Sequence, residues 1–274
     1  MEDGLRGRLM ETVEIAIADR RVLLTVARPA GQPKAAIAFS HGAFSAPDKY
    51  SALLEGWAAA GLLAAAPLHV DSTDHPERSA YDQGAVWRTR LEDQAATLDW
   101  LAGQGALCRD DWGLAAAGHS FGALLALAAG GAGVLAPPGA PTLDARVKAV
   151  IALSPPPATP PLIGPEGFAS TAAPLLVQTG DADVLPGFVD DWRMRLIAYE
   201  APAPGGRHAL VLPGVDHYFG GLICRPELPG PAQAEGFAQA LAASADLVLA
   251  HAAGDASAAA RIAARSSDCS FTTR

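Results

Sequence analysis

The sequence predicts an α/β fold: a mostly parallel central sheet that starts with an antiparallel hairpin and carries helices on both faces. Short segments rich in Val, Ile, Leu and Ala alternate along the chain with longer stretches whose apolar residues recur at helical spacing. Such alternation indicates crossover connections between parallel strands. Apolar residues make up 50% of the 274 residues and charged residues 18%, a composition that can fill a core on both faces of a sheet.

The first two predicted strands cover residues 12–18 and 22–27, and three polar residues connect them, which indicates the hairpin. Further strands are predicted at 35–40, 62–67, 113–118, 147–153, 174–179 and 208–212. Helices are predicted at 47–60, 86–102, 121–129, 188–199 and 233–252.

The chain is expected to form one domain, because α/β folds of about 200 to 250 residues commonly do so. The core is predicted over about residues 12–252, and residues 254–274 are predicted to be a tail with a short helix whose end frays. Residues 154–174 are rich in Pro and are too few for a full helical lid. The sequence therefore predicts minimal or no lid.

Charge and cysteine content exclude several classes of partner. The formal net charge of −9 disfavours binding to nucleic acid and to anionic lipid surfaces. Gly and Pro interrupt the longest segment without acidic or basic side chains other than His, 112–143, so no membrane insertion is expected. Cys108, Cys224 and Cys269 predict neither a disulfide framework nor a zinc site. With no signal-peptide pattern at residues 1–17, we expect a cytoplasmic protein.

Gly118-His119-Ser120-Phe121-Gly122 fits the pattern G-x-S-x-G, and it follows a predicted strand and opens a predicted helix. A serine at such a turn has its hydroxyl lifted clear of the sheet, and the first amides of the helix point toward the same place. Ser120 is therefore the predicted catalytic nucleophile.

A serine nucleophile needs a base and an orienting carboxylate, which follow it in the order acid then histidine on this type of sheet. The turn after the strand at 174–179 carries Asp181 and Asp183. The spacing G-x-x-D-x-x-P favours Asp183 as the acid and leaves Asp181 as an alternative. Both lie at the carboxyl end of a strand, where open α/β sheets build their sites.

His217 is the predicted base because it follows the last strand of the core and satisfies this chain order. His41, His119, His208 and His251 are assigned packing or backbone-bonding roles. His69 and His75 share a loop with two aspartates but lack the spacing of metal ligands. No metal and no cofactor are therefore predicted.

Two donors are needed for the oxyanion of a tetrahedral intermediate. The sequence contains no Asn, so backbone amides are the simplest donors. We predict those of Phe121, which follows the nucleophile, and of Ala43, which follows the strand at 35–40; Phe44 is the alternative to Ala43.

These residues resemble the α/β-hydrolase superfamily over about residues 13–250. Within it, Phe39-Ser40-His41-Gly42 together with the G-x-S-x-G segment resembles the dienelactone-hydrolase-like serine esterases. That group includes chlorophyllases, platelet-activating-factor acetylhydrolases and bacterial polyester hydrolases. The stretch with Trp87, Arg90 and Asp93 that ends at Leu98-Asp99-Trp100-Leu101 is similar to the group too. The resemblance also implies an oxyanion hole at Ala43 and Phe121.

The chain departs from parts of this group in two ways. Dienelactone hydrolases use a cysteine nucleophile, so Ser120 favours ester chemistry over dienelactone chemistry. Platelet-activating-factor acetylhydrolases take their acid soon after the strand that follows the serine, but residues 150–155 contain no carboxylate. This departure supports Asp183 and argues against a phospholipid substrate.

Together these observations predict a serine hydrolase that cleaves small-molecule carboxylic esters of short to medium acyl chain through a Ser-His-Asp triad and an acyl-enzyme. The alternatives are cleavage of amides or thioesters, a lyase with the same triad, a lipid-surface acyl hydrolase, and a non-catalytic binding protein. The predicted walls of the substrate site are Phe44, His119, Leu185, Tyr218 and Phe219.

Overall fold

The structure is a computed structural model that describes residues 10–104, 113–204, 206–265 and 270–274. Within these residues, nine strands form one sheet in the order β1-β2-β4-β3-β5-β6-β7-β8-β9. The strands are β1 (Met10–Ile17), β2 (Arg20–Ala27), β3 (Ala35–Ser40), β4 (Leu62–Pro67), β5 (Leu114–His119), β6 (Val147–Leu153), β7 (Leu175–Gly180), β8 (Arg207–Leu212) and β9 (Phe271–Thr273).

The sheet is parallel from β4 through β8 and antiparallel at both ends. β1 pairs with β2 and β2 with β4 in antiparallel register, and β9 runs antiparallel to β8. The intervening pairs are parallel. The predicted fold class, a mostly parallel sheet with an N-terminal antiparallel hairpin, is therefore confirmed.

Helices cover both faces of the sheet. They are α1 (Ser51–Ala59), α2 (Gln83–Gly103), α3 (Phe121–Ala129), α4 (Ile197–Glu200), α5 (Ala234–Ala252) and α6 (Ala256–Arg265). One core lies between the sheet and α1, α5 and α6, and Trp57 is its largest fully buried side chain. A second core lies on the opposite face, where Leu91 and Leu98 of α2 pack with the apolar residues of α3. The strands between them are buried on both faces, which explains their continuous apolar runs.

Two predicted segments differ from the structure. The helix expected at 188–199 is reduced to a 3₁₀ helix at Trp192–Leu196 and the single turn of α4, because the preceding chain folds back in a bridge between Leu185 and Val189. The tail contains α6 but also β9, which completes the sheet edge beside β8. Three residues are too few for strand periodicity to be recognised in a sequence.

The functional-site predictions all fall at one edge of the sheet. β3, β5, β7 and β8 belong to its parallel part, so their carboxyl ends, and the loops that follow them, lie side by side. Residues 154–174 contain a 3₁₀ helix at Pro165–Ser170 and no α-helix. In the part of the chain that is described, no helix combines the length and the apolar character needed to cross a bilayer.

Candidate active site

Ser120 occupies a sharp turn between β5 and α3. Its backbone has φ 52° and ψ −122°, a strained conformation for a residue with a side chain. The Ser120 amide donates to the carbonyl of Leu153 at 2.9 Å, which ties the turn to the end of β6. A Cβ atom on Gly122 would lie 2.0 Å from the Ser40 carbonyl oxygen, and one on Gly118 would lie 2.1 Å from that of Gly122. Glycine at these two positions therefore permits the close approach of strand and helix.

Asp183 and His217 meet beyond the ends of β7 and β8. His217 Nδ1 lies 2.8 Å from Asp183 Oδ1, and the second carboxylate oxygen accepts a hydrogen bond from Thr179 Oγ1 at 2.8 Å. Asp183 is 0% exposed and His217 is 4% exposed. Asp181, the alternative acid, is instead exposed and accepts a hydrogen bond from the Gly214 amide at 2.6 Å. The structure thus brings Asp183, and not Asp181, to the imidazole.

Arg195 is a fully buried neighbour of this pair that the sequence analysis missed. Its Nη2 lies 2.8 Å from Asp183 Oδ1 and 3.0 Å from His217 Nδ1. The same guanidinium donates to the backbone carbonyls of Asp183, Ser154 and Pro155. No sequence signal marks it, because an arginine in a short polar segment is ordinarily solvated.

The electrostatics set the protonation of this pair. Burial by itself raises the pKa of Asp183, but the hydrogen bond and charge of His217, with the charge of Arg195, outweigh it and lower that pKa from 3.8 to about 2. Burial lowers the pKa of His217 below its ordinary value of 6.5; contact with Asp183 opposes the shift and Arg195 adds to it. At neutral pH the acid is therefore charged and the imidazole neutral, as a base and its orienting carboxylate require.

His119 links the serine turn to the histidine. Its Nε2 donates to the His217 carbonyl at 2.9 Å, and the two rings lie 4.6 Å apart. Its Nδ1 lies 2.8 Å from the Tyr50 hydroxyl, which accepts from the Gly42 amide at 3.0 Å. Burial holds the pKa of His119 well below its ordinary value, so it stays neutral. Through these contacts His217 lies beside His119, the residue that precedes Ser120.

The hydroxyl of Ser120 itself makes no hydrogen bond to any described residue. Among the described residues, His217 bonds to Asp183 through Nδ1, and no hydrogen bond joins its Nε2 to Ser120 Oγ, the pair of atoms that a proton transfer needs. Such contacts are often long in enzymes without substrate and shorten in the complex.

The loop of residues 41–45 follows β3 and is called the 41–45 loop below. Neither the Ala43 amide nor the Phe121 amide donates a hydrogen bond to any of the described residues. The Phe44 amide, the alternative donor, is already bound to Asp71 Oδ2 at 3.1 Å. Of the two candidates in the loop, Ala43 is therefore the one whose amide is available to a ligand.

A cavity of about 770 Å³ opens beside these amides. Ala43, Phe44 and Phe121 line one side of it, and the other walls come from loops and from the start of α2. The lining also contains side chains that were not predicted as site residues, among them Tyr81, Trp87, Leu135 and Leu162. The lining is mainly apolar, as in most small-molecule sites.

The other predicted walls are placed differently. His119 is 0% exposed and Phe219 is 1% exposed, so both are buried below the surface of the site. Leu185 and Tyr218 are partly exposed, but they do not line this cavity. Leu185, Tyr218 and Phe219 are close in sequence to the candidate acid and base, whereas the cavity is lined by residues 43–44, by 121, and by residues within 71–87, 135–137 and 159–162.

His69 is buried in a second hydrogen-bonded group. Its Nδ1 lies 2.9 Å from Asp93 Oδ2, and its Nε2 lies 3.1 Å from Ser40 Oγ. All three residues are 0% exposed. Over the described ranges, no group of three or more His, Cys, Asp or Glu residues is arranged to hold a metal ion. Of the three cysteines, Cys224 is buried and free, whereas Cys108 and Cys269 fall outside the described residues.

Comparison with known proteins gives matches among solved structures only. No protein-family model and no curated protein matches the chain. A thermophilic esterase from the planctomycete Thermogutta terrifontis is 17% identical with a TM-score of 0.63, over 89% of this chain and 92% of that one. A dienelactone hydrolase from Anabaena variabilis is 18% identical with a TM-score of 0.59, over 89% and 98%. An alpha-beta serine hydrolase homologue from Coxiella burnetii is 20% identical with a TM-score of 0.55, over 77% and 91%. These likenesses show that the chain has the α/β-hydrolase fold.

Proposed function

We propose that this protein is a serine esterase in which Ser120, His217 and Asp183 form a catalytic triad. The observation that carries the proposal is that the strained Ser120 turn lies at the same sheet edge as the buried His217–Asp183 pair. Within that pair, His217 Nδ1 is 2.8 Å from Asp183 Oδ1. The unoccupied amides of Ala43 and Phe121 lie at the same edge.

The proposed reaction follows from these positions. Ser120 Oγ bonds to the ester carbonyl carbon while its proton passes to His217 Nε2, and Asp183 holds the imidazole through Nδ1. The negative carbonyl oxygen accepts hydrogen bonds from the Ala43 and Phe121 amides. The tetrahedral intermediate then collapses, the alcohol leaves with the proton from His217, and water hydrolyses the acyl-enzyme by the same steps. Each amide donor is worth about 3 to 4 kcal/mol in the transition state.

The cavity favours esters of short or medium acyl chain. Its volume of about 770 Å³ and its aromatic and aliphatic walls suit an apolar acyl group. Residues 154–174 contribute loop residues to its wall but no helical lid of the kind that encloses long chains.

Hydrolysis of 4-nitrophenyl acetate, butyrate and palmitate by the wild type and by Ser120→Ala tests the proposal. Wild-type turnover of the acetate and butyrate should fall at least about 10³-fold in Ser120→Ala, because no other group supplies the attacking oxygen. Ser79→Ala, an exposed serine near the cavity, is the matched control and should retain wild-type activity.

Labelling with a fluorophosphonate and comparison of substrates separate the alternatives. The label should appear on Ser120; a label on another residue, or unchanged hydrolysis in Ser120→Ala, contradicts the proposed nucleophile. Faster turnover of a butyryl anilide or thioester than of the matched ester would indicate the amide or thioester alternative. Preference for palmitate presented on vesicles would indicate a lipid-surface enzyme.

A further inference from the structure

Arg90 and Asp71 form a buried ion pair that the proposed reaction does not use directly. Arg90 lies within α2 and is 0% exposed, and Asp71 lies in the loop after β4. Arg90 Nε is 2.7 Å from Asp71 Oδ1 and Nη2 is 3.0 Å from Oδ2. This two-point contact fixes the plane and the direction of the guanidinium.

The remaining hydrogen-bonding groups of the pair hold the backbone of the 41–45 loop. Arg90 Nη1 donates to the His41 carbonyl at 2.8 Å, and Nη2 donates to the Gly42 carbonyl at 3.1 Å. Asp71 Oδ2 accepts from the Phe44 amide at 3.1 Å. The pair therefore binds backbone groups on both sides of Ala43.

The contact with Gly42 determines where the Ala43 amide points. The Gly42 carbonyl and the Ala43 N–H belong to one planar trans peptide unit and point in opposite directions. His41 Nδ1 lies 2.8 Å from the same carbonyl, and because His41 Nε2 accepts from the His69 amide, Nδ1 carries the proton and donates it. The Ser45 amide donates to this carbonyl as well, at 3.2 Å. Three donors on the carbonyl hold the N–H in a set direction and polarise the peptide, which makes that N–H a stronger donor.

Arg90 also contacts the residue that carries the other proposed donor. Its guanidinium carbon lies 4.8 Å from the centroid of the Phe121 ring, within the range of a cation–π contact. One side chain thus touches both segments that supply amides to the proposed oxyanion hole.

The pair stays charged in this setting. Burial by itself raises the pKa of Asp71, but the charge and hydrogen bonds of Arg90 outweigh it and hold that pKa below its ordinary value of 3.8. A buried ion pair is weak evidence of a contribution to stability, because desolvation offsets much of the attraction. Its contacts with the loop therefore point to a role in shaping the loop.

We propose that Arg90 and Asp71 are positioning residues that orient the Ala43 amide toward the oxyanion, an inference that rests on the esterase function proposed above. Neither residue needs to touch the reacting atoms. The effect passes through the Gly42–Ala43 peptide, whose carbonyl Arg90 holds, and through the Phe44 amide, which Asp71 holds.

The decisive variant replaces both members, Asp71→Asn with Arg90→Gln, so that no unpaired charge is left buried. With 4-nitrophenyl butyrate, kcat per active site should fall about 10²-fold, the loss that a misplaced donor produces. Asp71 also lines the cavity, and Asn at this position keeps the shape of that wall. KM should therefore stay within about twofold, because the oxyanion forms only after binding. Affinity for a trifluoromethyl ketone, whose serine adduct carries an oxyanion, should fall by a similar factor.

Two further variants serve as comparisons for the double variant. Arg90→Lys keeps the charge opposite Asp71, but one ammonium nitrogen cannot span the carboxylate and both carbonyls, so kcat should fall by an intermediate factor at constant KM. Arg207→Gln removes a buried arginine of β8 that binds the Thr171 carbonyl, far along the sheet from the loop. Its kcat per fluorophosphonate-titrated site should equal that of the wild type.

Hydrogen–deuterium exchange of peptides covering the 41–45 loop gives a readout that needs no catalysis. Exchange at the Phe44 amide should speed up at least tenfold in the double variant and stay unchanged in Arg207→Gln. Wild-type kcat in the double variant, a loss confined to KM, or unchanged exchange overturns the inference. If the wild type cleaves no ester and Ser120 takes no label, the proposed function fails, and the exchange result alone decides whether the pair holds the loop.

Discussion

At the scale of single residues, the turn at Ser120 depends on Gly118 and Gly122, two positions where the neighbouring backbone leaves no room for a Cβ atom. The motif G-x-S-x-G and its place after a strand were sufficient to predict a strand-to-helix turn at Ser120, because the constraint is local. Arg195 and Arg90 were not predictable as site residues. Their roles arise from contacts with Asp183 and Asp71, which become neighbours only when the sheet forms.

Gly122→Ala should destabilise the protein by about 3 kcal/mol or more, because the new methyl group would lie 2.0 Å from the rigid Ser40 carbonyl. Gly103→Ala is the matched control, since a Cβ there meets nothing within 4 Å. It should leave stability unchanged or raise it by about 0.5 kcal/mol. Urea unfolding followed by fluorescence measures both. Equal stability of the two variants would show that the turn adjusts.

Arg195→Gln should move the acid limb of kcat/KM to higher pH. In the proposed mechanism activity needs neutral His217, so it is present above the pKa of the imidazole and lost as pH falls through it. Burial and Arg195 hold that pKa below 6.5, and removal of the positive charge raises it.

The other groups that face the His217 ring are unchanged in Arg195→Gln: Asp183, Asp216, His119 and Tyr218. Arg193→Gln is the matched control from the same 3₁₀ helix, because Arg193 is exposed. Profiles of kcat/KM from pH 4 to 9 compare the variants. If the acid limb of the kcat/KM profile stays in place or moves to lower pH in folded Arg195→Gln, the charge of Arg195 does not lower the pKa of His217.

At the scale of secondary-structure elements, long and buried segments were predicted well and short ones were not. The strands β3, β4 and β6 and the helix α3 coincide with their predictions, because a buried parallel strand reads as an uninterrupted apolar run. β9 was missed, since its three residues contain one buried side chain, Phe271. Its pairing with β8 depends on contacts between segments about 60 residues apart along the chain.

Phe271→Ala should lower the free energy of unfolding by about 3 kcal/mol, because Phe271 is 2% exposed and packs in the core with α5 and α6. Thr272→Ala, whose side chain is exposed on the same strand, should change it by less than about 0.5 kcal/mol. Chemical denaturation of both variants provides the measurement. A small effect of Phe271→Ala would mean that β9 frays from the sheet in solution.

At the scale of the whole molecule, the cavity could not be predicted because no single segment builds it. It forms where residues 71–87, residues 135–137 and residues 159–162 approach the 41–45 loop. The sheet edge on which it lies could be predicted, since the carboxyl ends of parallel strands share one side. The direction in which the cavity extends from that edge depends on loop conformations that carry no periodic signal.

Leu135→Trp should shift the acyl-chain preference toward shorter esters. Leu135 is 63% exposed and lines the cavity, so a larger side chain there narrows the space without disturbing a core. We expect kcat/KM for 4-nitrophenyl octanoate to fall about tenfold relative to the acetate. Leu143→Trp, which is 65% exposed and does not line this cavity, is the control. An unaltered chain-length profile in Leu135→Trp would place the acyl group elsewhere.

The buried group of Ser40, His69 and Asp93 has a further consequence for how such sites are recognised. Its atoms follow the same order as a hydrolytic triad, with separations of 3.1 and 2.9 Å, yet all three residues are 0% exposed, so solvent does not touch its hydroxyl. A search of coordinates for hydroxyl, imidazole and carboxylate at contact distance would therefore select a set of groups that never meets a reactant. A nucleophile differs from an interior hydrogen-bond network because reactants can reach its hydroxyl. Labelling by a serine-directed reagent shows whether a hydroxyl can be reached, and interatomic distances do not.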